Sequence, residues 1–214
     1  MKILIVLNQT DHYIPVDKHD FVIGVDGGCR WCLDNNQPID LAVGDFDSLD
    51  KENLKELANR AVNIERHPEH KDHTDLELAL AAAMNRAPSA ITIYGVWGGR
   101  IDHSLANLLC IARQTAQTPV IMHGGSDQSG YLIKNKQKIN ITAEIGYCIS
   151  ILALGRDCSG VYNKGLKYPL KDAIVKQGTG IGLSNLTTAP VSEISLQNGT
   201  LLILTGSNCT ASIS

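Results

Sequence analysis

Much that would point to a particular class of protein is missing from this 214-residue chain. No stretch reaches the ~18 to 20 apolar residues of a membrane span. The opening Met1-Lys2-Ile3-Leu4-Ile5-Val6-Leu7 is basic then apolar, but too short for a secretory core with a cleavage site. It reads as a first buried strand. Excess positive charge is absent too: the net charge is -3 and the pI about 6.1, which argues against a nucleic-acid footprint. Aromatics are scarce, at 5%. No Walker A sequence and no G-x-S-x-G elbow occur, so a P-loop kinase and an α/β-hydrolase nucleophile are excluded. Cys29-x-x-Cys32 has no second pair at zinc-finger spacing. With no signal peptide, the six cysteines read as reduced core residues, and the cytoplasm is the expected location. There is no internal repeat.

What is present is one strong pattern followed by another. Up to about residue 123, apolar runs alternate with helical stretches. Lys2 to Leu7, Phe21 to Val25, Asp40 to Val43, Val62 to Ile64, Ala90 to Tyr94 and Pro119 to Met122 read as strands. Helices are expected over Cys29 to Asn35 and Lys51 to Ala61, then after Thr74 and from Asp102. Thr74 and Glu77 form a capping box, with Leu76, Ala79, Leu80 and Ala83 as the buried face behind it. Leu105, Leu108, Leu109 and Ala112 are the expected stripe of the last helix. Strand–helix alternation predicts a parallel sheet covered on both faces, with ligands beyond the carboxyl ends of its strands.

From about residue 124 the texture becomes β-rich: Gly130 to Ile133, Lys138 to Ala143, Tyr147 to Leu154, Gly160 to Tyr162, Val191 to Leu196 and Thr200 to Thr205. This predicts an antiparallel sandwich or partial barrel. The fold class is therefore α/β: an N-terminal parallel-sheet domain over 1–123, a linker in Gly124 to Gly130, and a β-sandwich domain over 130–214.

Three polar clusters follow strands of the first half. Gly44-Asp45-Phe46-Asp47-Ser48 is the most pointed. Strand alternation would send Asp45 and Asp47 the same way, as in a carboxylate pair that holds Mg2+ together with phosphate oxygens. The plainer reading is an acidic loop capping the next helix. Asp75 and Asp102 join the set, again with a plainer reading as first-turn acids facing the helix dipole. Asp72 is a fifth candidate, or part of the cap. Clustered carboxylates repel by roughly 4 kcal/mol per pair at ~4 Å and an effective dielectric of 20, which a divalent cation relieves. Gly98-Gly99-Arg100 before a helix suits phosphate, with Arg100 as a clamp. Asp26-Gly27-Gly28 would take a ribose or adenine group on its carboxylate, with the glycines permitting close approach. His67, His70 and His73 recur every third residue, as a zinc site or, with Pro68 among them, a solvated loop.

In this order, Asp26-Gly27-Gly28, Gly44 to Ser48, Asp72-His73-Thr74-Asp75 and Gly98-Gly99-Arg100-Ile101-Asp102-His103 resemble the thiamine pyrophosphokinase family. Lys164 to Leu170 resembles its G-L-K-[YW] turn. Gly182-Leu183-Ser184-Asn185 resembles its Ser-Asn signature, and Val191 to Leu204 its last hairpin. The resemblance implies an ATP-binding catalytic domain, a thiamine-binding β domain, and a homodimer with the thiamine site at the subunit interface. It implies transfer of pyrophosphate from ATP to thiamine, releasing AMP. It places Asp45, Asp47 and Asp75 around Mg2+, with Asp102 and Arg100 also catalytic. Asp26, Gly27, Gly28, Asp72 and Thr74 fall near nucleotide, and Ser184 and Asn185 near thiamine. The hydroxyl proton would go to Asp75 or Asp102. Departures are Asn8-Gln9-Thr10-Asp11, where many members have a glycine, and Leu183 and Leu186 beside the Ser-Asn pair. Leu201 to Leu204 lacks the aromatic that some members stack on thiamine, leaving Trp97 or Tyr168 for stacking or for packing. The alternatives are a related diphosphokinase acting on another alcohol, such as a hydroxymethylpterin, and a non-catalytic nucleotide-binding module.

Overall fold

The computed structural model describes residues 1–8, 19–68, 72–124 and 128–214. His70, Gln9 to Asp11 and the centre of the expected linker lie outside these. The chain divides into two compact units: Met1–Thr118 with Met122–Ser126, and Pro119–Ile121 with Asp127–Ser214.

In the first unit, β1 (Lys2–Val6), β2 (Phe21–Val25), β3 (Leu41–Gly44), β4 (Asn63–Arg66) and β5 (Ala90–Tyr94) form a parallel array in the order β5-β1-β2-β3-β4. The central strands are apolar along nearly their whole length, as strands covered on both faces must be. β4, at the edge, is exposed throughout. The helices α1 (Gly27–Asp34), α2 (Lys51–Asn59) and α3 (Asp75–Met84) are the crossovers, and α4 (Ile101–Gln114) follows β5. Strand order reverses between β1 and β5, and the crevice for a ligand is expected at such a reversal.

The expected face of α3 is buried: Leu76, Ala79, Leu80 and Ala83 are all inside. On α4 the expected stripe is split, with Leu108 and Ala112 half-buried. Leu105 and Leu109 are exposed, along with Ile101, while Ile111 is the residue buried. Periodicity identified the helix but not which side faces the sheet, because two apolar faces compete on this element.

The strand β6 (Val120–Gly124) carries the chain from one unit to the other. The second unit holds two antiparallel sheets. One has the order β12-β9-β14-β7, from β7 (Gln128–Lys134), β9 (Cys148–Ala153), β12 (Asn185–Leu186) and β14 (Thr200–Gly206). The other has the order β11-β10-β13-β8-β15, from β8 (Lys138–Thr142), β10 (Cys158–Lys164), β11 (Ala173–Val175), β13 (Val191–Ser195) and β15 (Thr210–Ile213). Tyr131, Ile133, Ile149, Ile151 and Ile203 of the first meet Ile139, Ile141, Val161 and Ile194 of the second in one apolar core. This is the face-to-face packing of a sandwich. The short strands β11, β12 and β15 carry too little alternation to be read from the sequence.

No cysteine is in a disulfide. Cys29, Cys32 and Cys158 are core residues as expected, but Cys148 is on the surface. Burial pushes the Cys32 thiol up to about 12 and that of Cys29 higher still, so neither is a ready nucleophile. Among the described residues, no helix is long and apolar enough to cross a membrane.

Candidate active site

At the strand-order reversal the first unit opens into a cleft of about 710 Å³. Its walls come from the ends of three strands and the starts of two helices. Leu7 and Asn8 follow β1, Asp26 follows β2, and Gly95 and Val96 follow β5. His73 to Leu76 begin α3, and Arg100 to Ser104 begin α4.

Asp26 is the most constrained of these residues. Its φ of 45° and ψ of -119° suit glycine better than aspartate. It stands at the N-cap of α1 yet does not cap that helix with its side chain. Its carboxylate instead accepts the Phe46 N–H at 3.2 Å. Gly44, at φ 148°, has no room for a Cβ because the Asp26 carboxylate fills that space. Asp26 therefore clasps the turn after β3 from the neighbouring strand. Burial, then the charge of Asp75, raises its carboxyl to about 7, against the lowering effect of the Phe46 N–H. The Asp26 and Asp75 carboxyl groups are within hydrogen-bonding reach, and Asp45 adds further repulsion.

The two glycines after Asp26 leave room for β1 and the chain beyond it. A Cβ at Gly27 would overlap the Asn8 side chain, and one at Gly28 would overlap the Val6 carbonyl.

The acidic turn also differs from expectation. β3 stops at Gly44, and Phe46 has a φ of 62°, so strand alternation no longer applies to Asp45 and Asp47. Asp45 is half-buried and accepts the Asp47 N–H at 3.0 Å. Asp47 is exposed and outside the cleft wall. Asp72 is likewise exposed and does not line the cleft. Asp26, assigned from the sequence to a ribose or adenine group, stands with Asp45 and Asp75 instead. The signal for this was topological: β2 and β3 are neighbours, so their end-residues meet.

Thr74 makes the expected capping box. Its hydroxyl accepts the Glu77 N–H at 3.2 Å, and Glu77 Oε2 accepts the Thr74 N–H at 2.9 Å. The box fixes the first turn of α3, from which Asp75 enters the cleft. On the opposite wall, Arg100 forks onto Asp102, with Nε–Oδ1 at 3.1 Å and Nη2–Oδ2 at 2.5 Å. The pair lowers the Asp102 carboxyl to about 2. Gly95, Gly98 and Gly99 all have positive φ. Ser104 Oγ accepts the Gly98 N–H, and Asn107 Nδ2 donates to the Val96 carbonyl at 3.0 Å, tying this turn to α4.

Of the three histidines, His67 and His73 lie among the described residues. His67 follows β4, where its N–H donates to the Gly44 carbonyl, and His73 lies 4.0 Å from Glu77. Among the described residues, no three of His, Cys, Asp and Glu come close enough to hold a metal by themselves. The donor set nevertheless suits a hard dication. Burial and the neighbouring Asp75 and Asp45 charges raise the Asp26 carboxyl, and Mg2+ takes only one or two carboxylates when phosphate and water complete its shell.

In the second unit, Ser184 is exposed with a φ of 52°, and its N–H donates to Ser150 Oγ. Asn185 is buried, and its carboxamide is spent on the main chain of Tyr168.

Comparison with known proteins matches both units. Residues 15–122 match the profile of "Thiamin pyrophosphokinase, catalytic domain", and residues 136–201 that of "Thiamin pyrophosphokinase, vitamin B1 binding domain". A thiamine pyrophosphokinase from Bacillus subtilis is 29% identical over 190 residues, 88% of each chain. The crystal structure of thiamine pyrophosphokinase from that species superimposes with a TM-score of 0.84 at 27% identity, covering 96% of this chain and 99% of that one. A thiamin pyrophosphokinase family protein from Enterococcus faecalis gives 0.82 at 27% identity, with the same coverage.

Proposed function

The chain belongs to the thiamin pyrophosphokinase family, and we propose that it transfers the pyrophosphoryl group of ATP to the hydroxyl of thiamine, releasing AMP. The observation that carries this reading is the cleft at the strand-order reversal, lined by Asp26, Asp75, Arg100 and Asp102. One wall is built for a cation and the other for phosphate.

The thiamine oxygen attacks the β-phosphorus. The new O–P bond forms as the bond from that phosphorus to the bridging oxygen breaks, and AMP leaves with the electron pair. Such a transfer depends on positioning and on neutralising charge. One or two of the Asp26, Asp45 and Asp75 carboxylates, completed by phosphate and water, would hold Mg2+, which when bound supplies charge neutralisation on the phosphate oxygens. Asp47 and Asp72, exposed and outside the cleft wall, have a weaker claim to that role. Arg100 exchanges Asp102 for phosphate oxygens, retaining a bidentate partner. The hydroxyl proton goes to Asp75 or, once Arg100 has turned to phosphate, to Asp102. Thr74 holds Asp75 in place through the cap.

Two further elements belong to this reading. A homodimer, with thiamine bound at the subunit interface, would cover the exposed Ile101, Leu105 and Leu109 on α4. A cytoplasmic location suits six cysteines without a disulfide. A diphosphokinase for another alcohol would share the cleft, but the match of the second unit to a vitamin B1 binding domain disfavours it. The test is competition: with ATP and Mg2+, thiamine should drive AMP release and a hydroxymethylpterin should neither replace nor inhibit it. AMP release with the pterin alone would overturn the assignment of the acceptor.

A further inference from the structure

The chain has a single Asn-Gly step, Asn198-Gly199, at the tip between β13 and β14. The fold demands the glycine. Gly199 has a φ of 115°, and a Cβ there would lie 2.6 Å from Cys158 Sγ. Asn198 is exposed. Asparagine is thermally labile, and most of all before glycine, whose nitrogen has no side chain to screen it. That nitrogen can attack the carboxamide carbon of the asparagine.

In the folded chain the peptide joining the two residues is gripped on both sides. Its carbonyl, on Asn198, accepts the Ser159 N–H at 3.0 Å. Its N–H, on Gly199, donates to Asn135 Oδ1 at 2.8 Å. The Asn198 N–H donates back to the Ser159 carbonyl at 3.1 Å, completing an antiparallel bridge. Ring closure needs this peptide to rotate until its nitrogen meets Asn198 Cγ. It also needs the proton on that nitrogen to be released. The bonds to Ser159 and Asn135 both have to open first. Ser159 acts through its main chain, so Asn135, in the turn between β7 and β8, is the one side chain in the grip.

We propose that Asn198 is a latent deamidation site and that Asn135 guards it by occupying the Gly199 N–H. When the guard opens, the Gly199 nitrogen bonds to Asn198 Cγ, and the carboxamide nitrogen leaves as ammonia, carrying the proton that the Gly199 nitrogen gave up. Water then opens the cyclic imide at either carbonyl, giving aspartate or isoaspartate. Either product adds a negative charge at the tip, and isoaspartate also lengthens the main chain between β13 and β14.

The experiment is prolonged incubation of the full folded chain in mildly alkaline buffer. Isoaspartate is counted with an isoaspartyl methyltransferase, and the altered residue is located by peptide mass mapping. Asn135→Ala should speed deamidation at Asn198 roughly fivefold, as expected for the loss of one hydrogen bond. Asn135→Asp, which keeps an acceptor oxygen, should stay at the parent rate. The denatured parent should react faster than the folded one. Hydrogen exchange supplies a second readout: Asn135→Ala should release the Gly199 amide while Leu202 and Ile203, inside β14, stay protected. Equal deamidation rates in the parent and Asn135→Ala overturn the guard. Loss of protection throughout β14 in that variant overturns it as well, because the variant would then act by opening the sheet. Equal rates in the folded and denatured parent overturn the latent site.

Discussion

Asp26 is predicted to make the ligand-free protein less stable as pH rises. Its carboxyl is raised from 3.8 to about 7, first by burial and then by Asp75. A group whose folded pKa is raised favours the folded state fully below the unfolded value, near pH 4. It loses that contribution as pH climbs through about 7. Three units correspond to a ceiling of about 4 kcal/mol. Asp26 is only half-buried, so solvent screening reduces this to roughly 1 to 2 kcal/mol. Asp26→Asn keeps an oxygen for the Phe46 N–H and tolerates a positive φ, but cannot ionise. In metal-free buffer, it should match the parent at pH 4 and exceed it by that amount at pH 8. For a chain of this size, the midpoint of thermal unfolding should rise by about 2 to 8 °C at pH 8. Denaturant titrations of both proteins across pH 4 to 8 measure the difference directly. Equal spacing at both ends would refute the reasoning, because it would mean that Asp26 does not change charge in this window.

Four other outcomes follow from the geometry. Gly44→Ala should cost about 2 kcal/mol or more, since its Cβ meets the Asp26 carboxylate; part should return in the Asp26→Gly background, as a double-mutant cycle would measure. Thr74→Ala removes one half of the capping box and should cost about 1 kcal/mol in denaturant unfolding. Arg100→Ala should lower kcat/KM for ATP by roughly 10- to 1000-fold in steady-state assays, and Arg100→Lys should restore only part, lacking the fork. In timed alkylation with mass spectrometry, Cys148 should react quickly, while Cys29 and Cys32 react only on unfolding.

The sequence revealed chemistry better than it revealed neighbours. The capping box at Thr74 and Glu77 was legible because it is local, contained in four residues. The parallel array was legible because buried strands such as Leu41 to Gly44 are apolar along their length. The outward stripe of α4 was not, since a helix with two apolar faces does not say which one meets the sheet. The outward position of Asp47 was not legible, because a period-two argument does not extend past Gly44, where the strand ends. The contact of Asp26 with the turn after β3 depends on β2 lying beside β3, which no local pattern states. The use of Gly27 and Gly28 depends on β1 in the same way. Asn185 could be picked out as a signature residue, but its pairing with the Tyr168 main chain belongs to the tertiary fold.

The central claim is that the cleft between Asp26, Asp75 and Arg100 carries pyrophosphoryl transfer. Phosphorus NMR of the protein with ATP, Mg2+ and thiamine tests it most directly, with Asp75→Asn followed in parallel. The account predicts AMP and thiamine diphosphate appearing one-for-one, and their loss in the variant while the fold is retained. ADP with thiamine monophosphate would place the attack on the γ-phosphorus and contradict it, as would undiminished turnover in Asp75→Asn.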